Sequence, residues 1–459
     1  MRHRQRRRCL RNAVEQDDVE VDRAWPVGDV LGRMGVGHAA RSPLDSFQRA
    51  EQRVRIELGR NRRRSVDEGR LVEDRTDRLC GVERGARHDT NAVSRQRCER
   101  CFDLLDRVTE VGAECQIAAH QQEFYPERVP QPPLTEPLEI AGVQFANRVL
   151  LAPLAGIGNW FVRLQAQRHG AGGAFSEMVS SFAIHYGNEK TLTELLRVHP
   201  EEGPLALQLF GQDPVVMRSA AAHVAEHVPE VDIIDLNMGC PVPKVCKTGA
   251  GAAMLKDPDT AVAVARAARE GSGKPVTVKL RSGSTPGDTT SGFELAHRLV
   301  EEAGVAAITF HPRSAKVQHA GVPDYDLAAR LVSSLPAPVI LTGGLQTAAD
   351  VRRAYEHTGA AAVMLARGSL GNPWLFEELL GERANGEQPT VTEIVAEWEW
   401  VMERAVEHLG AERGARYLRK FHPWYIERLG GGRNLKAALQ ATETVAEAQA
   451  AVQQHLAVR

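Results

Sequence analysis

From residue 147 onward the chain repeats one unit eight times: a short apolar, β-branched run, a loop, then a stretch with helical spacing. The apolar runs are residues 149–153, 173–176, 205–210, 233–237, 276–280, 306–311, 339–342 and 362–366. Continuously apolar strands imply burial on both faces, and so a parallel sheet. Amphipathic stretches such as residues 215–227 and 259–270 carry the chain back between strands. Eight such units predict an α/β fold closed as a (β/α)8 TIM barrel rather than a doubly wound sheet. No strand opens onto a G-x-G-x-x-G turn, which argues against a Rossmann dinucleotide domain.

Polar residues mark one end of these strands. Gln208, Asn237, Lys279, Arg281 and His311 all fall at or just past a strand's C-terminal end. In a barrel those ends share one rim, where catalytic groups converge. One polar residue there can be structural; five, spread over four strands, point to a site. Strand seven runs into Thr342-Gly-Gly-Leu345 and strand eight into Ala366-Arg-Gly-Ser-Leu370. Barrels bind phosphate between these two loops, using backbone N–H groups. Gly343 and Gly344 permit close approach, and Arg367 adds a guanidinium fork. The plain alternative is a pair of tight turns.

The flanking regions differ from the barrel. Residues 1–133 contain no lysine, the first being Lys190, and hold five of the seven cysteines: Cys9, Cys80, Cys98, Cys101 and Cys115. Their apolar residues keep no sustained period, so they bury too little area to offset the entropy of ordering. This extension is expected to be largely disordered, with short helices near residues 44–58 and 101–111. Its composition also suits translation from an upstream start codon. Cys98 and Cys101 have zinc-knuckle spacing, but no second ligand pair follows at a standard interval, so no metal is expected. Pro-rich residues 126–133 read as a linker.

With 43% hydrophobic and 25% charged residues, the chain can bury a large core. Its net charge of −2 excludes a whole-chain basic field, so an RNA partner needs a local basic patch. No run is long and apolar enough for a membrane span, and no apolar stretch backs the basic start. A cytoplasmic chain with reduced thiols is expected.

After Trp374-Leu-Phe376 the pattern turns helical. Residues 392–410 read as one amphipathic helix, 411–428 as a second broken near Pro423, and 442–456 as a third. Gly430-Gly-Gly-Arg433 separates the last two. The barrel is therefore bounded at 134–384 and a small helical domain at 385–459. Arg413, Arg416, Arg419 and Lys420 share a stripe, followed by Phe421, His422, Trp424 and Tyr425. Basic residues beside aromatics suit RNA backbone contact with base stacking. They suit equally a solvated face over an aromatic core.

Six segments, in order, now bear on identity: Leu151-Ala-Pro-Leu-Ala-Gly156, Ser176-Glu-Met-Val-Ser180, Gln208-Leu-Phe-Gly211, Asp235-Leu-Asn-Met-Gly-Cys-Pro241, Gly249-Ala-Gly251 and Val276-Thr-Val-Lys-Leu-Arg281. Together they resemble the bacterial tRNA-dihydrouridine synthases, from about Leu134 to about Leu456. The resemblance implies an oxidoreductase that reduces uridine in tRNA to 5,6-dihydrouridine, with FMN re-reduced by NADPH or NADH. It implies a monomeric enzyme whose helical tail binds tRNA, through Arg416, Arg419 and Lys420 here. Pro153, Leu154 and Ala155 would pack on the flavin, and Gln208 and Lys279 would hydrogen-bond its ring. His311 would lie beside the ribityl arm. Thr342, Gly343, Gly344, Ala366 and Arg367 would hold the phosphate. Asn237 and Arg281 would meet the substrate, Asn237 orienting the uracil, and Cys240 would be the proton donor. Three motifs depart from the family pattern. Ile157-Gly-Asn159 stands where Thr-Asp is usual, His311-Pro-Arg-Ser314 for His-Gly-Arg-Thr, and Thr342-Gly-Gly344 for Asn-Gly-Asp.

The chemistry suits a thiol. A hydride from flavin N5 adds at C6 of the uracil, and C5 then needs a proton. A cysteine, with a pKa of about 8.5, is mostly protonated at neutral pH yet able to donate. Cys240 lies in a rim loop with Gly239 and Pro241; Cys246, in the same loop, does not match the motif. Two alternatives stay open at this point. One is an FMN barrel acting on a free pyrimidine, of the dihydroorotate dehydrogenase type. The other is a tRNA-binding protein with a decayed site.

Overall fold

The computed structural model describes residues 131–457. The expectations for residues 1–130, including disorder, two short helices and the Cys98/Cys101 pair, lie outside the described residues.

A hairpin of β1 (Leu138–Ile140) and β2 (Val143–Phe145) precedes the barrel. The barrel strands are β3 (Val149–Leu151), β4 (Ala174–Phe175), β5 (Val179–Ser180), β6 (Leu205–Phe210), β7 (Ile233–Met238), β8 (Val276–Arg281), β9 (Ala307–His311), β10 (Val339–Thr342) and β11 (Ala362–Leu365). All pair in parallel, in the order β4-β3-β11-β10-β9-β8-β7-β6-β5, and the β4–β6 pairing closes the ring. Each strand expected from the sequence is present, with two adjustments. The first stops at Leu151, before Pro153, whose nitrogen cannot donate to a ladder. The second is shortened to Ala174–Phe175 and followed by β5, which was not expected; between them the Ser176 hydroxyl accepts the Gln208 N–H at 2.9 Å.

Period-two alternation sorts the side chains. Outward residues such as Leu207, Leu236, Val278 and Leu341 join the helices in the main core. Inward residues change character along the barrel axis. Toward the N-terminal end, Leu150, Phe175, Ala206, Ile233, Ile340 and Met364 pack with Leu138, Ile140 and Phe145 of the hairpin, which plugs that end. One step further the same face carries Gln208, Asp235, Thr277 and Thr309, all fully buried. Asn237, Lys279, Arg281 and His311 come last, at the rim. The register sets Asn237 beside Lys279 and Arg281 beside His311.

The tail has five helices: Val391–Leu409, Ala411–Leu418, His422–Arg428, Arg433–Ala441 and Val445–Ala457. The expected break near Pro423 separates the second helix from the third; Pro423 sits in the third's first turn, where its missing N–H costs nothing. The Arg433–Ala441 helix was not expected; it buries only Leu435 and Leu439, too few anchors to show a period. No helix among the described residues is long and apolar enough to cross a membrane.

The tail and the barrel share one core. Trp398, Phe421 and Tyr425 cluster with Phe161 and Leu164 of the barrel helix Trp160–Arg168. Gln165 Nε2 donates to Glu397 Oε1 and to Tyr425 Oη, both at 2.9 Å. Asn159 caps the Trp160–Arg168 helix and donates from Nδ2 to Tyr417 Oη at 2.7 Å.

Candidate active site

The strand C-termini open onto a cavity of about 470 Å³. All the barrel residues singled out above line it. Pro153, Leu154 and Ala155 follow β3; Gln208, Asn237 and Cys240 come from β6, β7 and the loop beyond. Lys279, Arg281 and His311 come from β8 and β9; Thr342, Gly343, Gly344, Ala366 and Arg367 from the last two loops.

Beneath its lining runs one chain of hydrogen bonds. Asp235 accepts from Gln208 Nε2 at 2.6 Å and from Thr277 Oγ1 at 2.7 Å. Gln208 Oε1 accepts from Asn237 Nδ2 at 2.8 Å. Asn237 Oδ1 accepts the N–H groups of Gly239 at 3.2 Å and Cys240 at 2.9 Å. A buried carboxylate thus sets the amide of Gln208, and through Asn237 the start of the Cys240 loop. Burial pushes the Asp235 carboxyl up to about 7, against the pull of Gln208, Thr277 and Lys279. Burial and the Arg281 charge push the Lys279 ammonium down to about 8. Asp235 and Thr277 escaped the sequence reading. The signal was available as polar residues two apart, Asp235/Asn237 and Thr277/Lys279/Arg281, which share the inward face.

Cys240 is half-buried, and burial, with Cys246 nearby, raises its thiol above the usual range. It is therefore a protonated thiol at neutral pH. The Cys246 Sγ donates to the Cys240 carbonyl at 3.2 Å, a supporting contact within the loop. Arg281 is buried, and its donors are directed at backbone carbonyls: Nε to Gly239 at 3.0 Å, Nη1 to Ser314 at 3.2 Å and Gln318 at 2.7 Å. The Gly239 carbonyl belongs to the peptide that leads into Cys240. Arg281 therefore ties the Cys240 loop to the loop after β9.

His311 is buried among Lys279, Arg281 and Arg313, and burial with those charges holds its ring well below the usual range. Arg313 Nη1 lies 3.3 Å from His311 Nε2. A guanidinium only donates, so Nε2 accepts and the neutral ring carries its proton on Nδ1.

Beyond His311 lie the two loops of the expected phosphate site. Gly343 and Gly344 have φ of 100° and 80°, in the region glycine favours. A Cβ on Gly343 would stand 2.3 Å from the His311 ring. Among the described residues, no acceptor engages the N–H groups of Gly343, Gly344 or Arg367. Unpaired amides in adjoining turns form an anion-binding concavity. The charges agree: among the described residues the cavity lining holds Lys279, Arg281, Arg313 and Arg367, and no carboxylate. Size, free donors and charge together fit a flavin with an anionic phosphate tail.

Residues 150–459 match the family model described as dihydrouridine synthase. The chain belongs to the dihydrouridine synthase family. It is 34% identical over 293 residues to the tRNA-dihydrouridine synthase B of Pasteurella multocida (strain Pm70), covering 63% of this chain and 87% of the relative. It is 32% identical over 316 residues to the protein of that name from Pseudomonas aeruginosa, covering 68% and 94%. A probable tRNA-dihydrouridine synthase 1 of Synechocystis sp. is 33% identical over 317 residues, covering 68% and 87%. Among solved structures, morphinone reductase aligns with a TM-score of 0.42 at 17% identity, over 57% of this chain and 93% of that one.

The tail residues behave differently from the rim residues. Phe421, His422 and Tyr425 are buried, with Trp398 stacked on Tyr425 at 5.4 Å, so they form core and offer no face to a base. Lys420 Nζ donates to the Gly156 carbonyl at 3.0 Å, beside the flavin-motif loop. Arg419 Nη2 donates to the Thr442 carbonyl at 3.0 Å, joining two tail helices. Arg413 pairs with Glu194, and Arg416 pairs with Glu412 in an exposed i,i+4 contact.

Proposed function

We propose that this chain is a tRNA-dihydrouridine synthase, reducing the C5–C6 double bond of uridine in tRNA with FMN as cofactor and NADPH or NADH as reductant. The observation that carries this reading is one cavity that, among the described residues, holds a protonated thiol, a lining of cations without a carboxylate, and unpaired backbone donors. Family membership supports it, as do the names of the relatives. Bound and reduced, FMN supplies the hydride that uracil C6 accepts.

The chain's own residues do the rest. Thr342, Gly343, Gly344, Ala366 and Arg367 hold the phosphate. Pro153, Leu154 and Ala155 pack on the ring, Gln208 and Lys279 meet its polar edge, and neutral His311 lies beside the ribityl arm. Asn237 orients the uracil. Cys240 gives its thiol proton to C5. Arg281 serves the substrate by fixing the Cys240 loop. Residues 385–459 bind tRNA, with the chain acting as a monomer. Arg416 is the tail cation best placed to exchange its partner for an RNA phosphate, because an exposed i,i+4 pair is worth only about 0.3–0.5 kcal/mol. Arg419 and Lys420 act there by holding the surface in shape.

Purified protein should be yellow and release FMN. A colourless protein that cannot take up FMN contradicts the proposal. The Lys279 ammonium adds a pH signature. It meets the flavin as a cation, and its depressed value means the charge is lost as pH rises through about 8. FMN affinity should therefore weaken by about tenfold per pH unit above that point. Titrations by flavin fluorescence should show this slope in the native chain and a weaker, flat profile in Lys279→Met. An unchanged slope in the variant would assign the dependence elsewhere.

A further inference from the structure

The cofactor-phosphate turn at Thr342–Gly344 carries two successive glycines at positive φ, so neither has a side chain to hold the peptide between them. Tyr325 is the group in position. Its hydroxyl donates to the Gly343 carbonyl at 3.0 Å. The peptide unit is planar and trans, so a carbonyl fixed toward Tyr325 sends the Gly344 N–H the opposite way. That N–H is among the unpaired donors described above. The same hydroxyl also fills the space over Gly344. A Cβ built there would stand 2.5 Å from Tyr325 Oη and 2.8 Å from Pro323 Cγ.

Tyr325 is itself held. Asp324 donates its N–H to the Pro312 carbonyl at 2.8 Å. The Asp324 carboxylate then caps the Tyr325–Ser334 helix, accepting from Leu327 N at 2.9 Å. Pro312 directly follows His311, so the loop after β9 sets Tyr325, and Tyr325 sets the turn after β10.

The geometry points to Tyr325 as a positioning residue for cofactor binding: its hydroxyl orients the Gly343–Gly344 peptide toward the flavin phosphate and requires glycine at 344. This inference rests on the flavin reading of the cavity. Because the turn meets only the phosphate, its variants should discriminate FMN from riboflavin, which lacks one.

The test measures both affinities by flavin fluorescence for the native chain, Tyr325→Phe, Gly344→Ala and the double variant, with far-UV circular dichroism to confirm folding. Losing one hydrogen bond should weaken FMN by about fivefold in Tyr325→Phe. Strain at a positive φ plus the clash should weaken FMN by about tenfold or more in Gly344→Ala. Riboflavin affinity should be unchanged in both. Removing Oη also removes the closest contact, so the double variant should lose less than the product of the single losses. Single variants that bind FMN as tightly as the native chain overturn the inference, and so do equal losses for riboflavin or strictly multiplicative losses in the double variant. A native chain that binds neither flavin overturns instead the reading on which the inference rests.

Discussion

Cys240→Ala is expected to lower dihydrouridine formation by roughly a hundred- to ten-thousand-fold, the range a positioned general acid supplies. The thiol is raised above its usual range by burial, so it is a proton donor at neutral pH rather than a thiolate nucleophile. Its location comes from two independent ties. Asn237 accepts the Cys240 N–H, and Arg281 holds the Gly239 carbonyl. Both ties use backbone atoms, so alanine leaves the loop in place and removes only the proton. Flavin uptake and its reduction by NADPH should continue in the variant, because Gln208, Lys279 and the phosphate turn are untouched. Single-turnover reactions with undermodified tRNA separate the two halves. Undiminished product from Cys240→Ala would remove the thiol from the mechanism.

The second large effect lies far from the rim. Trp398→Ala should destabilise the whole described body by about 3–5 kcal/mol, as expected for truncating a fully buried aromatic. Trp398 is completely buried, stacks on Tyr425 at 5.4 Å and meets His422 edge-on at 5.5 Å. Trp398 and Tyr425 share a core with Phe161 and Leu164 of the barrel. The loss should therefore appear in barrel and tail together. Urea unfolding followed by circular dichroism and by flavin release should shift as one coincident transition. A tail that melts first while flavin stays bound would show that the two parts are energetically separate. The shared core also means that cutting the chain near residue 384 exposes a large apolar face, so tail function is better probed by point substitution.

The barrel was legible because burial on both faces leaves continuous apolar runs, and helical spacing returns between them. The rim was legible because a polar side chain ending such a run has few structural uses. Asp235 was harder to see. It lies inside an apolar strand, and its partners, Gln208 and Thr277, come from neighbouring strands that only the register brings together. Arg281 was legible as a rim residue, but its bonds to Gly239, Ser314 and Gln318 depend on loop paths that no local pattern encodes. The tail misled in a related way. Arg419 and Lys420 share a stripe in sequence, yet each reaches a carbonyl on another segment, and the neighbouring aromatics turn inward. Spacing along a helix fixes which residues are neighbours; it does not fix which face meets the core.

The most direct test is mass spectrometry of tRNA from a strain lacking this chain, complemented with the native protein or with Cys240→Ala. The account predicts that loss of the chain converts at least one dihydrouridine to uridine, lighter by two hydrogens. The native protein should restore it and Cys240→Ala should not. An unchanged dihydrouridine profile in the deletion strain, or full restoration by Cys240→Ala, would contradict the account.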